Sequence, residues 1–145
     1  MIEPADVHQL DTVVPGSELH GWEGTNTCRG SLKGGQDNRW AYLYSNGRAA
    51  AILDIPVDGP YVVTATMAAR DDVSIGALTI DDQVVSEYKV VQSRTQPQHF
   101  EWKVNLEAGM HLFMFSFTND IHLSYLRRDL YIREFSVFEE KAAAD

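Results

Sequence analysis

The chain is 145 residues long, 44% hydrophobic and 23% charged, enough for one domain with a closed core. Its 12 Lys and Arg against 21 Asp and Glu leave a formal charge of −9, a field that repels phosphate backbones and argues against a nucleic-acid partner. The single Cys28 excludes an internal disulfide and a thiolate zinc site, and no apolar run reaches the length of a membrane span.

Helical periodicity is scarce. Strand-sized runs punctuated by Gly, Pro, Asn and Asp predict a sandwich or barrel instead. The opening MIEPADVHQL has neither a basic start nor an apolar h-region, so no signal peptide is read there. Asp6 to Val14 is expected to be a first strand, with Val7, Leu10 and Val13 apolar. From Pro15 to Asn38 the composition shifts to Gly, Ser, Thr, Asn and Lys, a connection of the length that usually serves function. It carries Trp22 and Cys28. Trp40 to Tyr44 and Ala49 to Ile55 flank Asn46-Gly47, the dipeptide that best tolerates the positive φ of a type I′ turn, so a hairpin is expected. Tyr61 to Ala69 follows. Ile75 to Ile80 and Val84 to Val90 make a second hairpin around Asp81-Asp82-Gln83. His99 to Leu106 alternates, with Phe100, Trp102, Val104 and Leu106 facing the core.

The next run, Met110 to Phe117, stops abruptly at Thr118-Asn119-Asp120, and a new strand opens at Leu130-Tyr131-Ile132. About nine strands without a helix or repeat predict an all-β fold, an antiparallel two-sheet β-sandwich of jelly-roll type. Residues 1–145 form one domain in this reading, with 139–145 as a linker or frayed tail. The polar loop between Phe117 and Leu130 is held by two strand ends, the place where binding side chains are fixed without being covered.

Tyr125 in that loop has no route to the core and suits an exposed aromatic platform for a ligand, while Trp22 and Trp40 serve either as platforms or as anchors. His8, His20, His99 and His111 show no ligand spacing, and His122 reads as a hydroxyl partner or a bystander. The pairs Asp71-Asp72 and Asp81-Asp82 read as turn residues that cap their own backbone. No G-x-S-x-G elbow, phosphate loop or H-E-x-x-H is present, so no catalytic residue is expected and the protein is read as not an enzyme.

From Trp40 to Phe138 the segments run LYSNG, IP-x-x-GPY, L-x-I-D-x-x-V, L-x-A-G-x-H-L, F-T-N-D and D-L-Y-I. This order resembles the calcium-dependent xylan-binding carbohydrate-binding modules (family sixty and its relatives), jelly-roll domains of secreted bacterial proteins, over roughly two thirds of the chain. The resemblance implies a calcium ion at the tip, with Thr118, Asn119 and Asp120 matching the F-T-N-D block. It also implies an extracellular or cell-surface setting within a larger protein, with no membrane insertion.

The second block, D-R-N-L-Y-V-D in the family, reads Arg127-Arg128-Asp129-Leu130-Tyr131-Ile132-Arg133 here. A guanidinium about 4 Å from a divalent ion costs about 8 kcal/mol at an effective dielectric near 20. Either Asp129 joins Asp120 as a metal ligand after a loop shift, or calcium is lost and Arg127 pairs with Asp120 and binds hydroxyls or a uronate. The expected function is non-catalytic binding that targets a larger protein to a polysaccharide. Asp120, Asn119, Tyr125, Arg127, Arg128, Asp129, Trp22 and Trp40 form the expected site. The competing reading is a structural or protein-interaction sandwich that has lost both sugar and calcium.

Overall fold

The computed structural model describes residues 11–15, 19–21, 34–37, 40–44, 46–121, 123, 126 and 128–140. Eleven strands account for most of them: β1 (Asp11–Pro15), β2 (His20–Gly21), β3 (Gly34–Asp37), β4 (Trp40–Leu43), β5 (Gly47–Ile55) and β6 (Gly59–Ala69). The remaining five are β7 (Ser74–Ile80), β8 (Gln83–Val90), β9 (Gln98–Leu106), β10 (Gly109–Phe117) and β11 (Leu130–Glu139). One sheet runs β3-β4-β11-β6-β9 with β1 also on β11, the other runs β2-β5-β10-β7-β8, and every pairing is antiparallel. The expected all-β, jelly-roll sandwich is the architecture found.

Alternation along the strands builds the core. On β10 the odd positions Phe113, Phe115 and Phe117 are fully buried, and Phe135 of β11 meets the first two at 5.7 and 5.2 Å between ring centres. Phe100 and Trp102, two apart on β9, stack at 5.6 Å and pack with Tyr88 and Phe115. Trp102 is therefore a core residue, as its alternation predicts.

β11 carries the most pairings in its sheet. One of its edges is shared, because Leu130–Ile132 pair with β4 and Glu134–Phe138 pair with β1. The exposed Arg133 falls at the junction, where the register against β6 also slips between Ile132 and Glu134. This is a bulge that bends the strand.

The β7–β8 hairpin forms as expected, with Asp81 and Asp82 at φ 53° and 69°. The expected hairpin at Asn46-Gly47 does not. β4 lies in one sheet and β5 in the other, neither residue takes a positive φ, and the Asn46 side chain instead accepts the Asp120 N–H at 2.8 Å. The long connection read from Pro15 to Asn38 contains β2 and β3. The first strand is described only from Asp11. At the other end Glu139 closes β11 and the Glu140 N–H donates to the Pro60 carbonyl at 3.0 Å, so the tail expected from 139 does not begin there.

Candidate functional site

The connection from β10 to β11 leaves the sandwich at Thr118, where backbone N–H and hydroxyl both donate to the Ile75 carbonyl, at 2.9 and 3.1 Å. Asn119 then carries the ladder on with its side chain. Its Oδ1 accepts the Ile75 N–H at 2.7 Å and its Nδ2 donates to the Val73 carbonyl at 3.0 Å. Farther out, Leu123 and Leu126 exchange backbone hydrogen bonds and the Arg128 N–H closes on the Ile121 carbonyl. The base of the connection is thus fastened to β7.

Arg128 locks that base. Its Nε and Nη2 donate to Asp72 Oδ2 at 3.0 and 2.8 Å, and its Nη1 donates to the Asn119 carbonyl at 3.3 Å. Asp72 Oδ1 takes the Val73 N–H at 2.7 Å, and that backbone bond, followed by the Arg128 bond, holds the carboxyl below its ordinary pKa. The Asp71-Asp72 turn caps itself as expected and also anchors the loop.

Asp129 sits differently. Only 4% exposed, it has Oδ2 accepting from Arg70 Nη1 at 3.3 Å and from the Tyr131 hydroxyl at 3.4 Å. Its Oδ1 is buried with no hydrogen-bond partner among the described residues. Its main-chain carbonyl accepts from Ser74 Oγ at 2.8 Å and from the Arg70 N–H.

Around Tyr131 an aromatic group gathers on the outward side of the sheet. Trp40 meets it edge-on and Tyr42 at a tilt, both at 6.2 Å between ring centres, and the Arg94 guanidinium lies 4.4 Å over its ring. Burial raises the Tyr131 pKa, and the Asp129 charge adds to this against Arg94 and Arg70. Burial works against the Arg70 charge, but the Asp129 hydrogen bond and nearby negative groups outweigh it and its pKa is raised.

Of the expected site residues, the structure brings Asn119, Asp120, Arg128 and Asp129 to one end of the sandwich, with Trp40 beside Tyr131. Trp22, Tyr125 and Arg127 lie outside the described residues, as do Cys28 and His122. Asn119 and Arg128 spend their polar groups on the scaffold. Arg70, Arg94, Tyr42 and Tyr131 were not expected, and only the sheet register, which sets Tyr42 opposite Tyr131, reveals their grouping. Neither does the arrangement fit a calcium ligand at Asp129 as it stands, because a guanidinium already donates to its carboxylate. Among the described residues no group of three or more acidic, His or Cys side chains converges on one point.

His8 lies outside the described residues; among those described, His99 and His111 are satisfied polar residues. His99 Nδ1 pairs with Thr66 Oγ1 at 2.9 Å. His111 lies between the Glu107 carbonyl at Nε2, 2.6 Å, and Asp81 Oδ2 at Nδ1, 2.5 Å.

No protein-family model matches the chain, and no curated protein matches it in sequence. Its fold is shared with solved carbohydrate-binding modules. A family 36 module of a multidomain xylanase from the hindgut metagenome of Trinervitermes trinervoides superposes with TM-score 0.64 at 16% identity, covering 92% of this chain and 99% of that one. A family 35 module from Clostridium thermocellum gives TM-score 0.64 at 11% identity, covering 90% and 98%. A family 36 module solved with calcium and xylotriose gives 0.59 at 11% identity, covering 87% and 98%. At these identities the likeness is one of fold.

Proposed function

We propose that this domain is a non-catalytic carbohydrate-binding module that holds a larger protein onto a polysaccharide, gripping the glycan at the end of the sandwich where β10 passes to β11. The observation that carries this reading is the grouping of the part-exposed Trp40 and Tyr42 with the exposed Arg70 and Arg94 beside the anchored loop, arranged around the buried Tyr131 and Asp129. Ring faces suit the apolar side of a pyranose, and guanidinium and carboxylate groups hydrogen-bond its hydroxyls. Asp120, at the loop base beside Asn46, supplies a further carboxylate, and Tyr125 and Arg127 of the same loop complete the proposed site. The likeness in fold to modules solved from a xylanase and with xylotriose supports the class of ligand. An extracellular setting belongs to the same proposal.

Native gels cast with soluble xylan, mannan, glucan and pectin test it, each run with calcium and with chelator. Retardation by at least one polysaccharide, reduced on Trp40→Ala and on Asp120→Ala, is the expected result. Loss of retardation in chelator would assign calcium a role at Asp120. Free migration in every gel would leave the interaction-sandwich reading in its place.

A further inference from the structure

The β8–β9 connection, 91–97, passes from one sheet to the other and is fastened beside the proposed site. The Ala69 N–H donates to the Gln92 carbonyl at 2.7 Å, and the Gln96 N–H turns back onto the Ser93 carbonyl at 3.2 Å. The Gln98 side chain accepts the Val91 N–H at 2.9 Å and donates to the Lys89 carbonyl at 3.2 Å. Arg94 is the second residue of the Ser93–Gln96 turn, which sets its guanidinium 4.4 Å over the Tyr131 ring. It is exposed and forms no hydrogen bond or ion pair with any described residue. A guanidinium on a ring face is held by the ring quadrupole and by stacking, and neither engages an acceptor for its N–H donors. The turn and the ring therefore position a planar fork whose donors are unspent. Arg70, 46% exposed, reaches the hydroxyl end of the same ring through Asp129 and adds a second guanidinium there.

We infer that the glycan bound here carries an anionic substituent, a carboxylate or a sulfate ester, and that Arg94 selects it by gripping two of its oxygens beside Trp40 and Tyr42. This inference rests on the proposed function. Charge is divided at this end of the sandwich. Asp120 lies beside Asn46 on the β4 side, where Asp37 is in register with Trp40, whereas Arg94 lies on the β6 side. There Asp129 is engaged by Arg70 and Asp72 by Arg128, and Asp71 follows Arg70 in the turn. The net charge of −9 opposes an anionic polymer at long range, but physiological salt screens it beyond about 8 Å. A bidentate contact acts well inside that distance, and its planar geometry matches carboxylate and sulfate oxygens where a lysine would supply only a point charge.

Affinity electrophoresis on paired polysaccharides tests it, each pair sharing one backbone: glucuronoxylan and its carboxyl-reduced form, and a sulfated galactan and its desulfated form. The wild type is expected to bind the anionic member of one pair about tenfold more tightly than the neutral member, or better. The pair that shows the preference distinguishes carboxylate from sulfate. Arg94→Gln should abolish the preference and Arg94→Lys should keep only part of it, both with a near-wild-type thermal transition because the side chain is exposed. Arg48→Gln, which removes the same charge from the other sheet, should retain it. Neutral members bound as tightly as anionic ones, or neutral polysaccharides bound alone, overturn the inference and leave the glycan reading standing. So does a preference that survives Arg94→Gln or is lost equally on Arg48→Gln. Retardation by no polysaccharide at all removes the glycan reading and this inference with it.

Discussion

At Gly76 the side chain of Tyr88 crosses β7 to reach a different strand. The Tyr88 hydroxyl, on β8, donates to the Ser116 carbonyl of β10 at 2.5 Å, and β7 lets it pass only because residue 76 has no side chain. A Cβ added there would lie 1.7 Å from Ser116 O, 2.6 Å from its carbonyl carbon and 2.9 Å from Tyr88 Cε1, whereas ordinary contact begins at 3.4 Å. The two nearest obstacles are backbone, so no rotamer change relieves them. Gly76→Ala must push β7 and β10 apart. Overpacking of this kind costs about 1–3 kcal/mol, and a displaced Tyr88 hydroxyl with a stranded buried carbonyl adds about 1–3 kcal/mol, for a total of about 2–6 kcal/mol. At about 3 °C per kcal/mol for a domain of this size, that corresponds to a fall in Tm of about 6–18 °C. Urea unfolding should show a lower midpoint at unchanged slope. Tyr88→Phe, which removes the hydroxyl without adding a clash, should lose only about 1–2 kcal/mol. A loss below about 1 kcal/mol for Gly76→Ala would refute the reasoning, since the strands would then have room that the packing denies them.

Asn119→Ala removes two hydrogen bonds to β7 and should destabilise by about 2 kcal/mol while weakening glycan binding, read by urea unfolding and by gel retardation. His111 faces an acceptor at each ring nitrogen. Burial opposes its charge, but the Glu107 carbonyl and then the Asp81 carboxylate outweigh this and raise its pKa. Its contribution to stability is therefore complete below the pKa of the unfolded chain and is lost as pH rises through the higher folded value. His111→Gln should flatten that part of the stability–pH profile, and an unchanged profile would place the dependence elsewhere.

Local chemistry explains what could be read from the chain and what could not. Asp81-Asp82 made a legible hairpin because both residues accept left-handed geometry and the runs on either side alternate in register. Asn46-Gly47 carried an equally strong turn signal, yet its strands part to different sheets, a choice decided by where β10 and β11 lie. The F-T-N-D block drew attention to the end of the sandwich where β10 passes to β11, but an asparagine that binds a ligand and one that extends a ladder look identical in sequence. Asn119 extends the ladder. Arg70 and Asp129 are 59 positions apart, and the Tyr131 ring beneath Arg94 reads in one dimension as an ordinary strand residue. Their grouping exists only once β4, β11 and β6 are laid side by side.

The central claim is that glycan is gripped where β10 meets β11, and it is tested most directly by mapping amide and indole chemical shifts of the labelled domain during titration with oligosaccharides from the polysaccharide that retards it. The account predicts saturable shifts at Asp120, Arg128, Tyr131 and the Trp40 indole, with residues of β8 unmoved. Shifts centred on the apolar face around Leu112, or none at millimolar sugar, would contradict it.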